Sequence, residues 1–265
     1  MSASEAVLAA FRADGERFAA LVDDIGEAQW QSASPAPGWS VKDQVGHVAF
    51  VFDIAALACA DPEEFGRQME RVAAVGFDVA VQSGLEEYAA GSGTEVLARW
   101  RASFERVSGA IAAVRSDTVP WLVRPLPPEV LTMAGMLEMF AHGQDVADAL
   151  HRGIERTDSL AFLVHFIART RDFGYESHGL TPPSHDFRFE VTLPSGKALS
   201  VGPSDSEDVV MGSAEDLCLL ASRRRHPDDL DLRAAGSHAS QWLPIAQAYR
   251  GPAGPGRAPR AAVSA

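Results

Sequence analysis

In Met136-Leu-Glu138-Met-Phe-Ala-His142-Gly-Gln-Asp145, spacings of four and seven residues place Glu138, His142 and Asp145 along one stripe of a helix. The flanking Met133, Leu137, Met139, Phe140 and Val146 are apolar, so this stripe borders buried surface, where an uncompensated polar group is costly. An imidazole and a carboxylate at i and i+4 can grip one cation, and a third ligand must then come from elsewhere in the fold. His47 is the best candidate, in Val45-Gly-His47-Val-Ala-Phe50, with Asp43 and Gln44 one turn earlier. Two histidines and one carboxylate leave positions open for water or substrate, the pattern of a catalytic rather than a structural metal, and zinc is the first choice. Such an ion could lower the pKa of a thiol or water and polarise a carbonyl. Gln44 is placed to touch bound water or substrate. The same residues also fit a plainer reading, with Glu138 and His142 as an ordinary helix pair and His47 as a hydrogen-bonded core histidine.

The elements that must position these groups are mostly helical. Val7, Leu8, Phe11, Phe18, Leu21, Val22 and Ile25 recur at helical spacing and predict a long first helix, broken by Ser34-Pro-Ala-Pro-Gly-Trp39. Ser40 with Asp43 three residues on resembles a capping box for a second helix, Val41 to Ala60. Helix of uncertain continuity follows from Pro62 to about Ala90. Thr94 is expected to cap a third long helix after Gly91-Ser-Gly93, and a fourth runs from Glu129 to about His151 after a Pro-rich surface connection from Val119 to Pro128. Four long helices with inward apolar faces suggest a bundle over residues 1–155.

A small mixed α+β region is expected over 156–250. Asp158 is read as the cap of a connecting helix through about His178. Alternation of Phe187, Phe189, Val191 and Leu193, a turn at Pro194-Ser-Gly196-Lys197, and then Ala198, Leu199 and Val201 predict a β-hairpin. Ser213 with Asp216 predicts a helix through Arg225, Leu230 and Leu232 a short strand, and Ala239 to Tyr249 a helix. Residues 251–265 lack apolar periodicity and are expected to be a disordered tail. The fold class is therefore α+β.

A chain of 265 residues with 46% hydrophobic content can bury two cores of ordinary size. A net charge of -13 makes nucleic acid a poor partner. No stretch reads as membrane-crossing and no basic-then-apolar leader opens the chain, so a cytoplasmic protein acting on a small molecule is expected. Cys59 and Cys218 stand apart without a CxxC and read as buried hydrophobes.

Pro37-Gly-Trp-Ser-Val-Lys-Asp43 leading to His47, together with Glu138 through Asp145, resembles the two signatures of the DinB-like superfamily, and within it the mycothiol-dependent maleylpyruvate isomerase family. The resemblance covers about residues 1–155 and implies a four-helix bundle whose metal ligands are His47, Glu138 and His142. It implies a second-shell place for Asp145, which could orient an imidazole or simply brace a helix. Asp43 is read as the helix cap, with contact behind the ligands as the alternative. The resemblance further implies mycothiol as thiol cosubstrate in an isomerase or S-transferase; Glu138, and Gln44 from its place one turn from His47, are read as the residues at the reacting centre. The rivals are a thiol-independent Lewis-acid hydrolase, dehydratase or cyclase, and a metal-binding protein without turnover.

Ala141-His-Gly-Gln-Asp-Val-Ala-Asp148, Leu217-Cys-Leu-Leu-Ala-Ser-Arg-Arg-Arg-His226 and Gln241-Trp-Leu-Pro-Ile-Ala-Gln-Ala-Tyr249 resemble an uncharacterised metal-binding subfamily, whose C-terminal part is similar to a small domain of wyosine-forming tRNA enzymes. Residues 186–250 carry ten acidic and seven basic side chains, which argues against RNA. Arg223 to Arg225 and His226 fall at a predicted helix end, where cations favour the dipole and where a carboxylate or phosphate could also be captured.

Overall fold

A computed structural model describes residues 3–122 and 124–260, so Val123 of the Pro-rich run and residues 261–265 of the expected tail lie outside the described residues. The chain divides into two compact units, Met1–Ile154 and Glu155–Ala265. Helices build the first and a small sheet organises the second, an α+β chain.

In the first unit α1 (Ala3–Ala20) turns Val7, Phe11 and Phe18 inward. It stops short of Ile25 because the Leu21 and Val22 N–H groups bond three residues back, to Phe18 and Ala19, which tightens the last turn and ends the helix. A single-turn α2 (Glu27–Trp30) follows. Then α3 (Val41–Ala60) opens on the expected box: Ser40 Oγ accepts from Asp43 N–H at 3.3 Å, and the Asp43 carboxylate accepts from Ser40 N–H at 2.8 Å. Gly76, at φ +93°, separates α4 (Pro62–Val75) from α5 (Phe77–Tyr88), a left-handed backbone that favours glycine. The helix α6 (Gly93–Ala113) is capped by Ser92 rather than Thr94, because only Ser92 places an acid, Glu95, at the third position to return the hydrogen bond. The last long helix is α7 (Pro128–Leu150).

α3 packs against α6 and α7, and α1 against α7. Rings from three helices meet in the core: Phe11 lies 5.5 Å from Phe52 and 5.1 Å from Phe104, and Trp100 lies 5.2 Å from Phe104. Such pairs add about 0.5–1.5 kcal/mol each beyond their buried area. By length and composition α3 could cross a membrane, with mean hydropathy 1.3, contrary to the sequence reading. The physical reason for that composition is its place in the bundle, where Val41, Val45, Val48, Ala49 and Phe52 are all buried.

The second unit begins with α8 (Leu160–Thr170) and α9 (Asp172–Ser177) in place of one continuous helix. Asp158 does not cap α8; its carboxylate accepts from Ser195 N–H at 3.0 Å and Ser195 O–H at 2.7 Å, holding the hairpin turn. The hairpin itself is β1 (Arg188–Thr192) with β2 (Ala198–Val201). An unexpected strand, β3 (Val209–Ser213), runs parallel to β1, and β4 (Arg233–Ala235) pairs with β3 in place of a strand at Leu230 and Leu232, giving the order β2-β1-β3-β4. Between β3 and β4 lies α10 (Ala214–Ala221), capped by Ser213 Oγ accepting from Asp216 N–H. It ends before Arg225 because Arg223 turns left-handed, at φ +60°. After β4, α11 (Ser237–Trp242) gives way to a 3-10 turn at Leu243–Ile245, so the helix does not reach Tyr249. No helix or strand spans 251–259, yet Arg223 donates to Gly254 O and the Asp229 carboxylate accepts from Arg260 N–H.

Candidate metal centre

His47, Glu138 and His142 each direct a nitrogen or carboxylate oxygen to one place, the three atoms lying within 4.8 Å of one another. The helices bring them there in reverse order. Gln44 and His47, three apart on α3, face His142 and Glu138, four apart on α7, so the two helices run antiparallel where they touch. Glu138 Oε2 is 3.3 Å from His142 Nε2 and 3.7 Å from His47 Nε2. The imidazoles sit deeper, at 12% and 16% side-chain exposure against 30% for Glu138, so the cluster is reached from the carboxylate side.

The hydrogen-bond network decides what stands between these atoms. Gln44, fully buried, donates from Nε2 to Ser34 Oγ at 2.8 Å, which leaves its Oε1 to accept from His142 Nδ1 at 2.5 Å. Read from that network, the proton of a neutral His142 is on Nδ1 and the lone pair of Nε2 faces a carboxylate. Burial by itself pushes the Glu138 pKa up, but hydrogen bonding and charge from His142 and His47 outweigh it and hold the carboxyl well below the usual carboxylate range. A lone pair and an anion opposed at 3.3 Å require a positive centre between them, either a proton on the imidazole or a metal ion. His47 Nδ1 is buried without a hydrogen-bond partner, so nothing on that side fixes the proton. The donor set suits a divalent ion of the zinc class, with positions left for another ligand.

Gln44, expected to touch bound water or substrate, is fully buried and bonds His142 Nδ1, which fixes the orientation of that ring. Asp145 is buried three residues along α7, outside the convergent trio. Asp43 is engaged by Ser40 at the start of α3. Residue spacing alone gives Trp39 no role. Its ring lies 5.1 Å from that of His47 and 5.9 Å from that of His142, almost parallel to the latter at 17°. The turn before it holds because Gly38 adopts φ +79° and Ser34 N–H bonds Trp39 O at 2.8 Å. A Gly-Trp pair two helical turns before a candidate ligand was the available signal.

Comparison with known proteins places these residues in a family. The model of the mycothiol maleylpyruvate isomerase N-terminal domain matches residues 11–147, a span that holds Trp39, Gln44 and all three convergent side chains. Two proteins of Mycobacterium tuberculosis, from strains CDC 1551 / Oshkosh and ATCC 25618 / H37Rv and each described as uncharacterised, are 38% identical over 253 residues, which is 94% of this chain and 97% of each relative. In fold, the chain resembles the crystal structures of the mycothiol-dependent maleylpyruvate isomerase and of a histidine-to-alanine mutant of it, with TM-scores of 0.55 and 0.57. Both are 16% identical, with 88% of this chain and 93% of theirs covered. With more than half of its length matched by the family model, the chain belongs to the mycothiol maleylpyruvate isomerase N-terminal domain family.

Proposed function

We propose that the chain is a metal-dependent enzyme that joins the thiol of mycothiol to a small electrophilic molecule, as an isomerase or S-transferase. The observation that carries this reading is the convergence of ligating atoms of His47, Glu138 and His142 within 4.8 Å of one another, with His142 Nδ1 tied off by Gln44 so that Nε2 faces the other two. His47, Glu138 and His142 would hold that ion, and when bound it would supply a Lewis acid able to lower the pKa of a thiol. The thiol supplies a nucleophile for an activated double bond: addition leaves a single bond free to rotate, elimination returns an isomer, and retention gives a thioether.

The chain's own residues do the rest. Gln44 keeps the proton on His142 Nδ1, so the Nε2 side stays a donor of electrons. Glu138 holds a negative charge beside the opening, and Trp39 covers the two imidazoles with an apolar face that limits water. Family membership and the fold of the mycothiol-dependent maleylpyruvate isomerase support the thiol in this reading. The test is turnover of small unsaturated acids by zinc-loaded protein with and without mycothiol. Product that forms only with the thiol is the expected result; equal turnover without it would replace this reading by thiol-independent Lewis-acid chemistry.

A further inference from the structure

The second unit brings together another set of ligating groups, unrelated to the first. Strand register does this. Arg188 of β1 is level with Val209 of β3, and Val209 is level with Ala235 of β4, so three chain segments enter or leave the sheet side by side at one end. His185 lies three residues before Arg188, Asp208 one before Val209, and His238 three after Ala235. Their ligating atoms fall within 4.8 Å of one another.

Asp208 is the fixed point of the group. Its side chain is 6% exposed, and Oδ1 accepts from the N–H groups of His238 and Ala239, both at 2.9 Å, which locks the carboxylate plane. Oδ2 is thereby aimed at His185 Nε2, 2.7 Å away. Both histidines are held at the backbone by buried side chains: Arg171 donates to His185 O at 2.6 Å and Tyr175 O–H to His238 O at 2.9 Å. The rings approach to 5.2 Å, nearly edge to face. They border a cavity of about 530 Å³ whose lining includes Asp186, Asp205 and Glu207 and no lysine or arginine, so its field attracts cations and repels anions.

We propose that His185, Asp208 and His238 form a second divalent-cation site, selective for ions of the zinc class over magnesium or calcium. Two imidazoles and one carboxylate favour borderline ions, whereas magnesium and calcium prefer all-oxygen sets. The ion would cross-link the segments leading into β1, into β3 and out of β4. Because the fold uses only the backbone N–H and C=O of His238 in the bonds described above, His238→Ala removes a ligand and leaves those bonds in place.

The experiment is titration of the full chain with cobalt(II) alone, followed by ligand-field absorption and by thermal midpoint, in wild type and in His142→Ala. The expected result is two equivalents in wild type and one in His142→Ala, with metal raising the midpoint of both. Adding His238→Ala or His185→Ala to the His142→Ala chain should weaken the remaining site by about a hundredfold or more, at least what loss of an outer-shell partner causes. Far-UV circular dichroism checks that each variant is folded, and two independent variants guard against one that is not. No binding in the His142→Ala chain, or binding indifferent to both second-unit variants, overturns the proposal while leaving the first site standing. A single equivalent lost only in His238→Ala and His185→Ala would instead support this site and sink the first.

Discussion

His142 Nδ1 lies 2.5 Å from Gln44 Oε1, and this contact between α7 and α3 sets which imidazole nitrogen faces Glu138. Replacing Gln44 by Leu keeps the volume and removes the acceptor. Metal affinity at the first site should fall about 10–100-fold, measured by competition with a chelating dye, while helix content is retained. An unchanged affinity would show that packing alone orients the ring.

His142→Ala and His47→Ala should each cost one equivalent of bound divalent metal, read by elemental analysis of purified protein, because loss of one of three ligands forfeits much of the binding free energy. Full metal content in both variants would remove the first site from consideration.

Mycothiol should perturb the visible spectrum of the cobalt-substituted protein, since sulfur is a stronger charge-transfer ligand than water. In Glu138→Gln, which keeps the shape but not the charge, turnover should be lost while helix content by far-UV circular dichroism is retained. Retained turnover in that variant would mean that the carboxylate charge is not needed.

Gly46 precedes His47 and lets α3 approach the end of α5. A Cβ there would lie 2.9 Å from Ala89 N and 3.0 Å from Ala89 Cα, both backbone atoms that cannot rotate away. Gly46→Ala is therefore expected to destabilise the protein by about 1–3 kcal/mol through overpacking. Urea unfolding provides the check, and a neutral result would show that α5 yields freely.

Asp208 predicts an acid-dependent loss of stability. Burial pushes its pKa up, but the N–H groups of Ala239 and His238 and the side chain of His185 outweigh that, and the net direction is down. A carboxyl whose folded pKa is depressed contributes stability above about pH 4 and loses it as the pH falls through the lowered value. Asp208→Asn should thus lower stability by about 1–3 kcal/mol at pH 7, and the gap from wild type should narrow at pH 3. A gap that is constant with pH would assign the effect to shape rather than charge.

What the sequence by itself determined is local. The four-residue spacing of Glu138 and His142, the Ser40–Asp43 box and the hairpin from Phe187 to Val201 depend on neighbours within one helix turn or one tight turn, so they could be read without knowing the fold. The family signature supplied His47 as the partner of that pair. What only the tertiary structure decided is who meets whom across the chain. Gln44 meets His142 because of how α3 registers against α7, and Ser195 rather than α8 takes the Asp158 carboxylate. Pairing of β3 with β1 joins strands that are not consecutive in the chain, and no periodicity within either strand encodes its partner. The cluster of His185, Asp208 and His238 has the same origin, since it exists only where three strand ends are level.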